Sequence, residues 1–343
     1  MDFDMYSFGL PLGEVAQLAA EAEDIGFSAM WFTESRHNPL LAAAVSALTT
    51  EQLLLGTAIL VAFPRSPMVT AQATWDLAAA SNGRFVLGLG PQVKAHIEKR
   101  FSVPYSHPGP RLKEYIASLR AIWRAFQGEE RLRFKGDFYS FSLLTDFFSP
   151  GPIDHPNIPI YISAVNTGMA RIAGEVCDGI HVHPLHSVKY LEEVMKPAVA
   201  TGAAAAGRSV DDVVLSTPVF MIVGDTDEEV EAQRSSVRRQ IGFYGSTRTY
   251  APVFECHGWD DTPSQLHALM AKGDLDAMEQ VITDEMLDVF AVSSTWDRLG
   301  HDLVARYKGV VPRLCTYGNL GDWHAKPELA ERFRAVATVV RNG

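Results

Sequence analysis

Cysteine is scarce in this chain of 343 residues, which contains only Cys177, Cys256 and Cys315. The three are far apart and form no C-x-x-C pair, which argues against a disulfide framework and against a zinc ribbon. We interpret them as small buried hydrophobic residues of a protein kept in a reducing compartment. The sequence therefore predicts a cytoplasmic location.

Long hydrophobic runs are also missing. The longest extends over residues 53–63 and stops at Pro64, well short of the roughly 20 residues that a membrane-spanning helix needs. The chain begins Met1-Asp2-Phe3-Asp4, without the basic segment that opens a secretory signal. We expect neither a membrane span nor an export signal.

Positive charge is in deficit. Lysine and arginine number 30 against 41 aspartate and glutamate residues, which gives a formal net charge of −11 at pH 7. Nucleic-acid binding needs a basic stripe that neutralises phosphates, so we expect no nucleic-acid partner. The composition, 47% hydrophobic and 21% charged, is that of a globular protein and excludes disorder, collagen and coiled coil.

The sequence does contain a regular alternation of apolar strands and amphipathic helices. Residues 53–61 are almost continuously apolar, which is typical of a parallel strand covered on both faces. Residues 13–25 have helical periodicity, and Gly26 follows them as a left-handed stop. In all we predict eight strands, at residues 3–10, 29–33, 53–61, 84–90, 159–165, 179–183, 213–223 and 310–317.

Eight strands separated by helices predict one α/β domain over residues 1–343, a (β/α)8 TIM barrel with insertions after strands 4 and 7. The alternative is a doubly wound open sheet, which favours a glycine fingerprint after its first strand. Pro11 stands where that turn should admit a phosphate. Thr226 and Glu229 predict a capping box at the start of one helix. Ser294 and Asp297 predict the start of another helix with a similar first-turn pairing.

Active sites of such barrels lie at the C-terminal ends of the strands. Glu34 and His37 follow the second strand, where a carboxylate and an imidazole could serve acid–base chemistry. The structural alternative is a cap or a rim ion pair with Arg36. After the fifth strand, residues 166–169 join a strand end to a helix start, which is either an anion site or an ordinary N-cap.

Two further patterns are weaker. His181, His183 and His186 have a spacing that could bind a metal, but metal-dependent barrel hydrolases usually carry a histidine pair on the first strand, which here has none. We therefore expect polar residues at the barrel mouth and no metal. Gly88 and Gly90 begin an incomplete nucleotide fingerprint, and we interpret them as small residues that let a flat ring approach.

Several stretches, in this order, resemble the luciferase-like monooxygenase family. They are AEDIGF at 22–27 leading into WFTE at 31–34, LGTAI at 55–59, SNGRFVLGLG at 81–90, KGDFY at 135–139 and AGEVCDG at 173–179. The segments QVKAHI at 92–97 and RQIGFYGST at 239–247 are similar to the branch that uses the deazaflavin coenzyme F-420. The resemblance covers residues 3 to about 317.

The resemblance implies a flavin or deazaflavin bound at the strand C-termini and a homodimeric assembly. It implies a non-proline cis peptide at Ala58–Ile59 behind the ring, Glu34 beside the ring, and residues 165–169 on the cofactor phosphate. The predicted cofactor-binding residues are Ala58, Ile59, Gly90, Ala164, Val165, Asn166, Thr167, Gly168 and Met169. Arg65, Lys94, Lys99 and Arg248 are candidate cations near the mouth, with ordinary solvated surface as the alternative.

The sequence also departs from the family pattern. Deazaflavin dehydrogenases of this family often carry Asp-His after the second strand, where this chain has Glu34-Ser35. A glutamate common after the fourth strand is replaced by Val93. The sugar-phosphate dehydrogenase mechanism therefore does not transfer.

We predict hydride transfer between reduced coenzyme F-420 (8-hydroxy-5-deazaflavin) and a small organic molecule, with Glu34 or His37 as the proton donor. The main alternative is an FMN-dependent monooxygenase supplied by a separate flavin reductase. A flavin-binding barrel without catalysis and a metal-dependent hydrolase are lesser alternatives.

Overall fold

A closed cylinder of parallel strands forms the centre of the computed structural model, which describes residues 1–318 and 326–343. The strands are β1 Asp2–Ser7, β2 Ala29–Phe32, β3 Leu54–Thr57, β4 Leu60–Val61, β5 Phe85–Gly90, β6 Phe134–Lys135, β7 Ser140–Phe141, β8 Ile160–Ala164, β9 Gly179–Val182, β10 Val214–Ile222, β11 Ala291–Ser293 and β12 Arg313–Thr316. The barrel order is β1, β2, β3 continued by β4, β5, β8, β9, β10 and β12. The last strand returns to the first, with Leu314 beside Phe3, so the predicted TIM barrel is confirmed over the open sheet.

Helices cover the outside of the cylinder. They are α1 Leu12–Ile25, α2 Pro39–Ala47, α3 Pro67–Ala80, α4 Lys94–Lys99, α5 Pro108–Phe126, α6 Thr167–Val176, α7 Val188–Tyr190, α8 Lys196–Ala205, α9 Asp227–Gly245, α10 Ala251–Glu255, α11 Thr262–Lys272, α12 Leu275–Val281, α13 Asp284–Phe290, α14 Leu299–Tyr307 and α15 Pro327–Asn342. A π-helical stretch, Leu191–Met195, joins α7 to α8. Among the described residues, no helix combines the length and the apolarity needed to cross a lipid bilayer.

Helix α1 shows how the hydrophobic periodicity of the sequence predicts a helix and its end. Its buried face is the set that the periodicity indicates, Val15, Leu18, Ala19, Ala22 and Ile25. It stops at Gly26, whose φ of 97° lies in the left-handed region that a side chain disfavours. The Gly26 amide donates to the carbonyls of Ala22 and Glu23, which satisfies the end of the helix.

The carboxylate of Glu23 ties this helix to the entrance of the third barrel strand. It accepts hydrogen bonds from the backbone amides of Glu51, Gln52 and Leu53, at 2.5 to 3.1 Å. Partial burial acts to raise the pKa of Glu23, but the three amide donors outweigh it, and the pKa lies below its usual value. The ionised form therefore stabilises the folded state.

We expect Glu23→Gln to lower the free energy of unfolding at pH 7 by about 1 kcal/mol, because three amides lose a charged acceptor that is partly screened by solvent. A group whose pKa is lowered by folding stabilises above its unfolded pKa and loses that effect as the pH falls through its folded pKa. Urea denaturation should therefore show the difference between wild type and variant at pH 7 and a smaller one at pH 3. An equal difference at both values would contradict the assignment.

Two insertions interrupt the alternation, after the fourth and seventh barrel strands as predicted. The first carries α4, α5 and an antiparallel hairpin of β6 and β7. The second carries α10 to α13 and ends in the short β11, which pairs with the far end of β10. The hairpin and β11 were not predicted, because strands of two and three residues carry too little periodicity.

Several predicted boundaries are corrected by the structure. The third barrel strand is not continuous over residues 53–61. It is interrupted at Ala58–Ile59, between the end of β3 and the start of β4. The Ser294 hydroxyl donates to the Asp302 carboxylate at 2.6 Å, and α14 begins only at Leu299. Thr226 does cap α9, whereas the Glu229 carboxylate accepts from the amide of Asp225 rather than from that of Thr226.

A buried ion pair lies inside the barrel. Asp4 on β1 is fully buried, and both of its carboxylate oxygens accept from the Arg313 guanidinium on β12 at 2.8 Å. The indole nitrogen of Trp31 on β2 donates to the same carboxylate at 3.0 Å. Burial raises the pKa of Asp4, and the charge of Arg313 opposes that rise. This triad links the first, second and last barrel strands.

Candidate active site

A cavity of about 850 Å³ opens at the C-terminal ends of the barrel strands. Its floor consists of inward-facing side chains, because alternate residues of a strand point into the barrel. Tyr6 on β1 and His181 on β9 belong to this floor. The lining also includes Phe8, Thr33, Ala58, Ile59, Lys94, Tyr105, Ser163, Ala164, Val165, Asn166, Gly168, Met169, His183, Pro218, Tyr244, Tyr250 and Tyr317.

One wall of the cavity is the break between β3 and β4. The Ala58–Ile59 peptide is cis, at the position that the family resemblance implies, and both residues line the cavity. Thr57 fastens the break to the neighbouring strand: its hydroxyl donates to the Gly88 carbonyl at 2.7 Å and accepts from the Gly88 amide at 3.0 Å. Thr57 is fully buried, so this contact is shielded from solvent.

Glu34 holds the other end of the same break. Its carboxylate accepts from the backbone amide of Val61 at 2.7 Å and from both terminal nitrogens of Arg65, at 2.7 and 2.9 Å. The Glu34 side chain is only 8% exposed. His37 lies farther along the same loop and is exposed. Neither residue belongs to the cavity lining, so the roles predicted for Glu34 and His37 stay predictions.

The next wall is the N-terminus of α6. Asn166 caps this helix, with its side-chain oxygen accepting from the Met169 amide at 3.0 Å. The ordinary N-cap interpretation is therefore correct for Asn166. It leaves the amides of Thr167 and Gly168, which have no acceptor within the helix, at a positive dipole end beside the cavity. The anion-site interpretation of the same helix end stays a prediction.

Three histidines follow one another across β9 and its loop, in three different environments. His181 is buried between the rings of Trp31 and Tyr161, with centroids 4.7 and 5.4 Å away. Burial lowers its pKa to about 3, so its ring is neutral. The Thr57 carbonyl interacts with this ring without meeting hydrogen-bond geometry, and neither ring nitrogen has a hydrogen-bond partner among the described residues.

His183 also lines the cavity, and its ring packs against Tyr244, in the last turn of α9, and Tyr250, directly before α10. The centroids of Tyr244 and Tyr250 each lie 4.5 Å from that of His183. The Leu185 amide donates to His183 Nδ1 at 3.1 Å. Burial, with a smaller contribution from His186, lowers the pKa of His183 to about 3.

His186 lies outside the lining and packs against Tyr307, with Nε2 3.2 Å from the Tyr307 hydroxyl. Residues 1–318 and 326–343 contain no group of three or more His, Cys, Asp or Glu side chains arranged to hold a metal ion. The spacing of the three histidines along the chain therefore does not correspond to a shared ligand set in space.

The structure brings most of the predicted cofactor residues together. Ala58, Ile59, Ala164, Val165, Asn166, Gly168 and Met169 share the cavity. Gly90 lies behind it, where an added Cβ would meet Ser163 Oγ at 2.7 Å and Ile59 Cδ1 at 2.8 Å. Thr167 also lies outside the lining, although its amide belongs to the first turn of α6.

Sequence reasoning missed the aromatic side of the cavity. Tyr6, Phe8 and Tyr317 come from the ends of β1 and β12, while Tyr244 comes from the end of α9 and Tyr250 from the segment that leads into α10. The Tyr244 and Tyr317 hydroxyls lie 2.6 Å apart. The alternation of residues in the strands could have indicated the inward-facing members, but no local pattern places Tyr244 and Tyr250 at the cavity.

Of the four candidate cations, only Lys94 lines the cavity. The Nζ of Lys94 also lies 3.9 Å from Oε1 of Glu98, and the Lys94 side chain is 68% exposed. Arg65 is engaged by Glu34 and by the Val61 carbonyl, while Lys99 and Arg248 are exposed. Among the described residues, the cations thus add little to the first turn of α6 at this mouth, and the anion role of that turn stays a prediction.

Several known proteins are similar in sequence to this chain over most of its length. A chain from Mycobacterium tuberculosis, described as uncharacterized, is 43% identical over 303 residues, which cover 88% of this chain and 89% of that one. The 5,10-methylenetetrahydromethanopterin reductase of Methanolobus tindarius is 30% identical over 84% of each chain.

Solved structures share the fold. The coenzyme F-420 dependent tetrahydromethanopterin reductase from Methanopyrus kandleri superposes with a TM-score of 0.77 at 20% identity, over 99% of this chain and 98% of that one. An F-420-dependent secondary alcohol dehydrogenase superposes with a TM-score of 0.75 at 16% identity, over 99% of each chain. The oxygenating constituent of 3,6-diketocamphane monooxygenase from Pseudomonas putida, in complex with FMN, gives 0.68 at 16% identity, over 99% of this chain and 97% of that one.

The luciferase-like monooxygenase family model matches residues 4–313, nearly the whole length from β1 to the start of β12. The match spans all the elements that form the cavity except the end of β12, and the chain therefore belongs to the luciferase-like monooxygenase family.

Proposed function

We propose that this protein is an oxidoreductase that transfers a hydride between reduced coenzyme F-420 and a small organic substrate. The observation that carries the proposal is that one cavity contains both the Ala58–Ile59 break and the N-terminus of α6. The 30% identity to a methylenetetrahydromethanopterin reductase supports it, as do two fold neighbours named as F-420 enzymes.

The residues present fit such a cofactor. A volume of about 850 Å³ lies within the range of ligand sites, roughly 300–1,000 Å³, and leaves space for a substrate beside a tricyclic ring. The break and the small residues of the lining offer a flat apolar wall. The free amides of Thr167 and Gly168 suit the phosphate of the cofactor tail. His181 contributes to the floor of the cavity with a neutral ring.

The roles of the chain follow from this arrangement. When bound, a deazaflavin supplies a hydride from carbon and has poor reactivity toward oxygen. Ala58 and Ile59 orient the ring by contact, and the amides at the start of α6 hold the negative charge of the tail. The aromatic side chains on the far side exclude water from the space left for the substrate.

Binding of the cofactor is tested by titrating purified protein into coenzyme F-420 and following its fluorescence, with FMN titrated in parallel. Quenching of F-420 fluorescence at micromolar concentrations of protein supports the proposal. No quenching, or preferential FMN binding with oxygen uptake on reduction, overturns it in favour of the FMN-dependent monooxygenase alternative.

The phosphate site has a sharper test in Thr167→Pro. Position 167 is the first residue of α6 and follows an extended Asn166, so proline fits there and removes only one amide donor. We expect the dissociation constant for F-420 to rise about 10- to 100-fold, the effect of losing one hydrogen bond to a charged group. Thr167→Ala keeps the amide and is the matched control; equal binding by the two variants would remove the anion role of this helix.

A further inference from the structure

The two halves of the cavity differ in character. In the barrel order, the strand broken at Ala58–Ile59 is the third and β10 is the seventh, so they lie on opposite sides of the cylinder. The cofactor residues that we propose come from the side of β3, β4, β5 and β8. His183 follows β9, Tyr317 follows β12, and Tyr244 comes from α9, which follows β10. The substrate half is therefore rich in aromatic side chains and carries the imidazole of His183.

This half carries no fixed charge. Of the residues that line the cavity in the described part of the chain, Lys94 alone is charged at neutral pH, and it belongs to the loop after β5. The histidines are neutral because burial lowers their pKa values to about 3. An apolar wall with few directional polar groups selects an uncharged organic molecule with one polar function to be oriented.

The hydrogen bond to His183, a residue of the cavity lining, determines which of its ring nitrogens carries the proton. Nδ1 accepts from the Leu185 amide, so it has no proton, and the neutral ring carries its hydrogen on Nε2. None of the described residues accepts a hydrogen bond from Nε2. The ring is held edge-on to Tyr244, at an interplanar angle of 89°, and inclined by 50° to Tyr250, which limits its rotation.

We propose that His183 is a catalytic residue whose Nε2–H donates a hydrogen bond to the oxygen of a carbonyl substrate during reduction. The role rests on the proposed hydride transfer. In the step, the carbonyl carbon gains the hydride with its two electrons, and the π pair of the C=O bond moves onto oxygen. The oxygen takes its proton from solvent water as the alcohol leaves the cavity, and the imidazole keeps its own proton throughout.

The environment of His183 favours hydrogen-bond donation over proton transfer. A neutral imidazole is a poor acid, so loss of the Nε2 proton would leave an imidazolate in a buried site. A fixed donor aimed at the developing charge stabilises it without reorganisation, and such a donor contributes most where water is excluded. The same geometry assists alcohol oxidation in the reverse direction, because both directions share one transition state.

Two substitutions at this position separate the donor from the bulk of the ring. His183→Phe keeps a flat ring without a donor, and we expect kcat to fall by about 10²- to 10³-fold, as for removal of one oxyanion donor. His183→Gln places an amide N–H at a similar reach and should recover a large part of that loss. Dissociation constants for F-420 should stay within threefold of wild type in both. Tyr307→Phe, which removes a buried hydroxyl beside His186, is the control for general disturbance of this loop.

A second measurement does not depend on activity. In protein labelled with ¹⁵N-histidine and lacking cofactor, long-range ¹H–¹⁵N correlation spectra should show the His183 ring neutral, with hydrogen on Nε2, from pH 5 to 8. A protonated Nδ1 or a charged ring overturns the proposal. So does a kcat for His183→Phe within threefold of wild type. If wild-type protein transfers no hydride from reduced F-420, the proposed function fails first, and the role of His183 fails with it.

Discussion

Replacing Arg313 with methionine is expected to lower the free energy of unfolding by about 3–5 kcal/mol, the cost of leaving a buried charge without its partner. Methionine fills much of the same space, so the loss measures the charge rather than a cavity. Asp4 would keep the Trp31 indole, at 3.0 Å, and the weak Cys315 thiol donor, at 3.7 Å, inside the barrel and fully shielded from water. Urea denaturation followed by circular dichroism measures the change.

Asp2 provides the matched control. Its carboxylate accepts from the same guanidinium at 2.7 Å, but its side chain is 47% exposed. Exposed ion pairs contribute about 0–1 kcal/mol, so Asp2→Asn should cost less than about 1 kcal/mol. Similar losses for Arg313→Met and Asp2→Asn would show that burial of the Asp4 pair does not control the stability of the barrel closure.

The elements of the fold could be predicted because each carried its own periodic signal. The buried face of α1 and its end at Gly26 are determined by 15 consecutive residues. The long apolar strands are likewise identified by neighbouring residues in the sequence. Closure of the barrel could be predicted from the count of strands. The start of α14 could not, because Ser294 finds a carboxylate eight residues away instead of capping the nearest turn.

Only part of the candidate site could be predicted from the sequence, because only some of its residues lie in local motifs. Ala58, Ile59 and the turn at residues 165–169 lie in short motifs that the family resemblance identifies. Tyr244 and Tyr250 lie at the cavity because the end of α9 and the segment before α10 pack against His183, about 60 residues earlier in the chain, which is a tertiary contact. The engagement of Glu34 with Val61 and Arg65 is likewise a tertiary property, and it shows the carboxylate bracing the wall of the cavity.

The close contact between Gly88 and Thr57 in that wall leads to the second prediction. We expect Gly88→Ala to lower both the stability of the protein and its affinity for the cofactor. A Cβ at residue 88 would stand 1.8 Å from the Thr57 carbonyl oxygen and 2.6 Å from His181 Nε2. No real structure tolerates the first distance, so β3 and β5 must separate and the two hydrogen bonds between Thr57 and Gly88 must lengthen. Overpacking of this kind costs about 1–3 kcal/mol or more.

The change should also reach the cofactor, because Thr57 directly precedes Ala58 in the cavity wall. We expect Gly88→Ala to weaken F-420 binding at least 10-fold, as seen in the fluorescence titration, in protein that still shows a native circular dichroism spectrum. Gly13→Ala is the control: a Cβ there meets no atom within 4 Å in the first turn of α1, and stability should stay equal or rise by about 0.4–1 kcal/mol. Unchanged F-420 affinity in folded Gly88→Ala would mean that the broken strand does not support the ring, and the cofactor site would have to be sought on the aromatic side of the barrel.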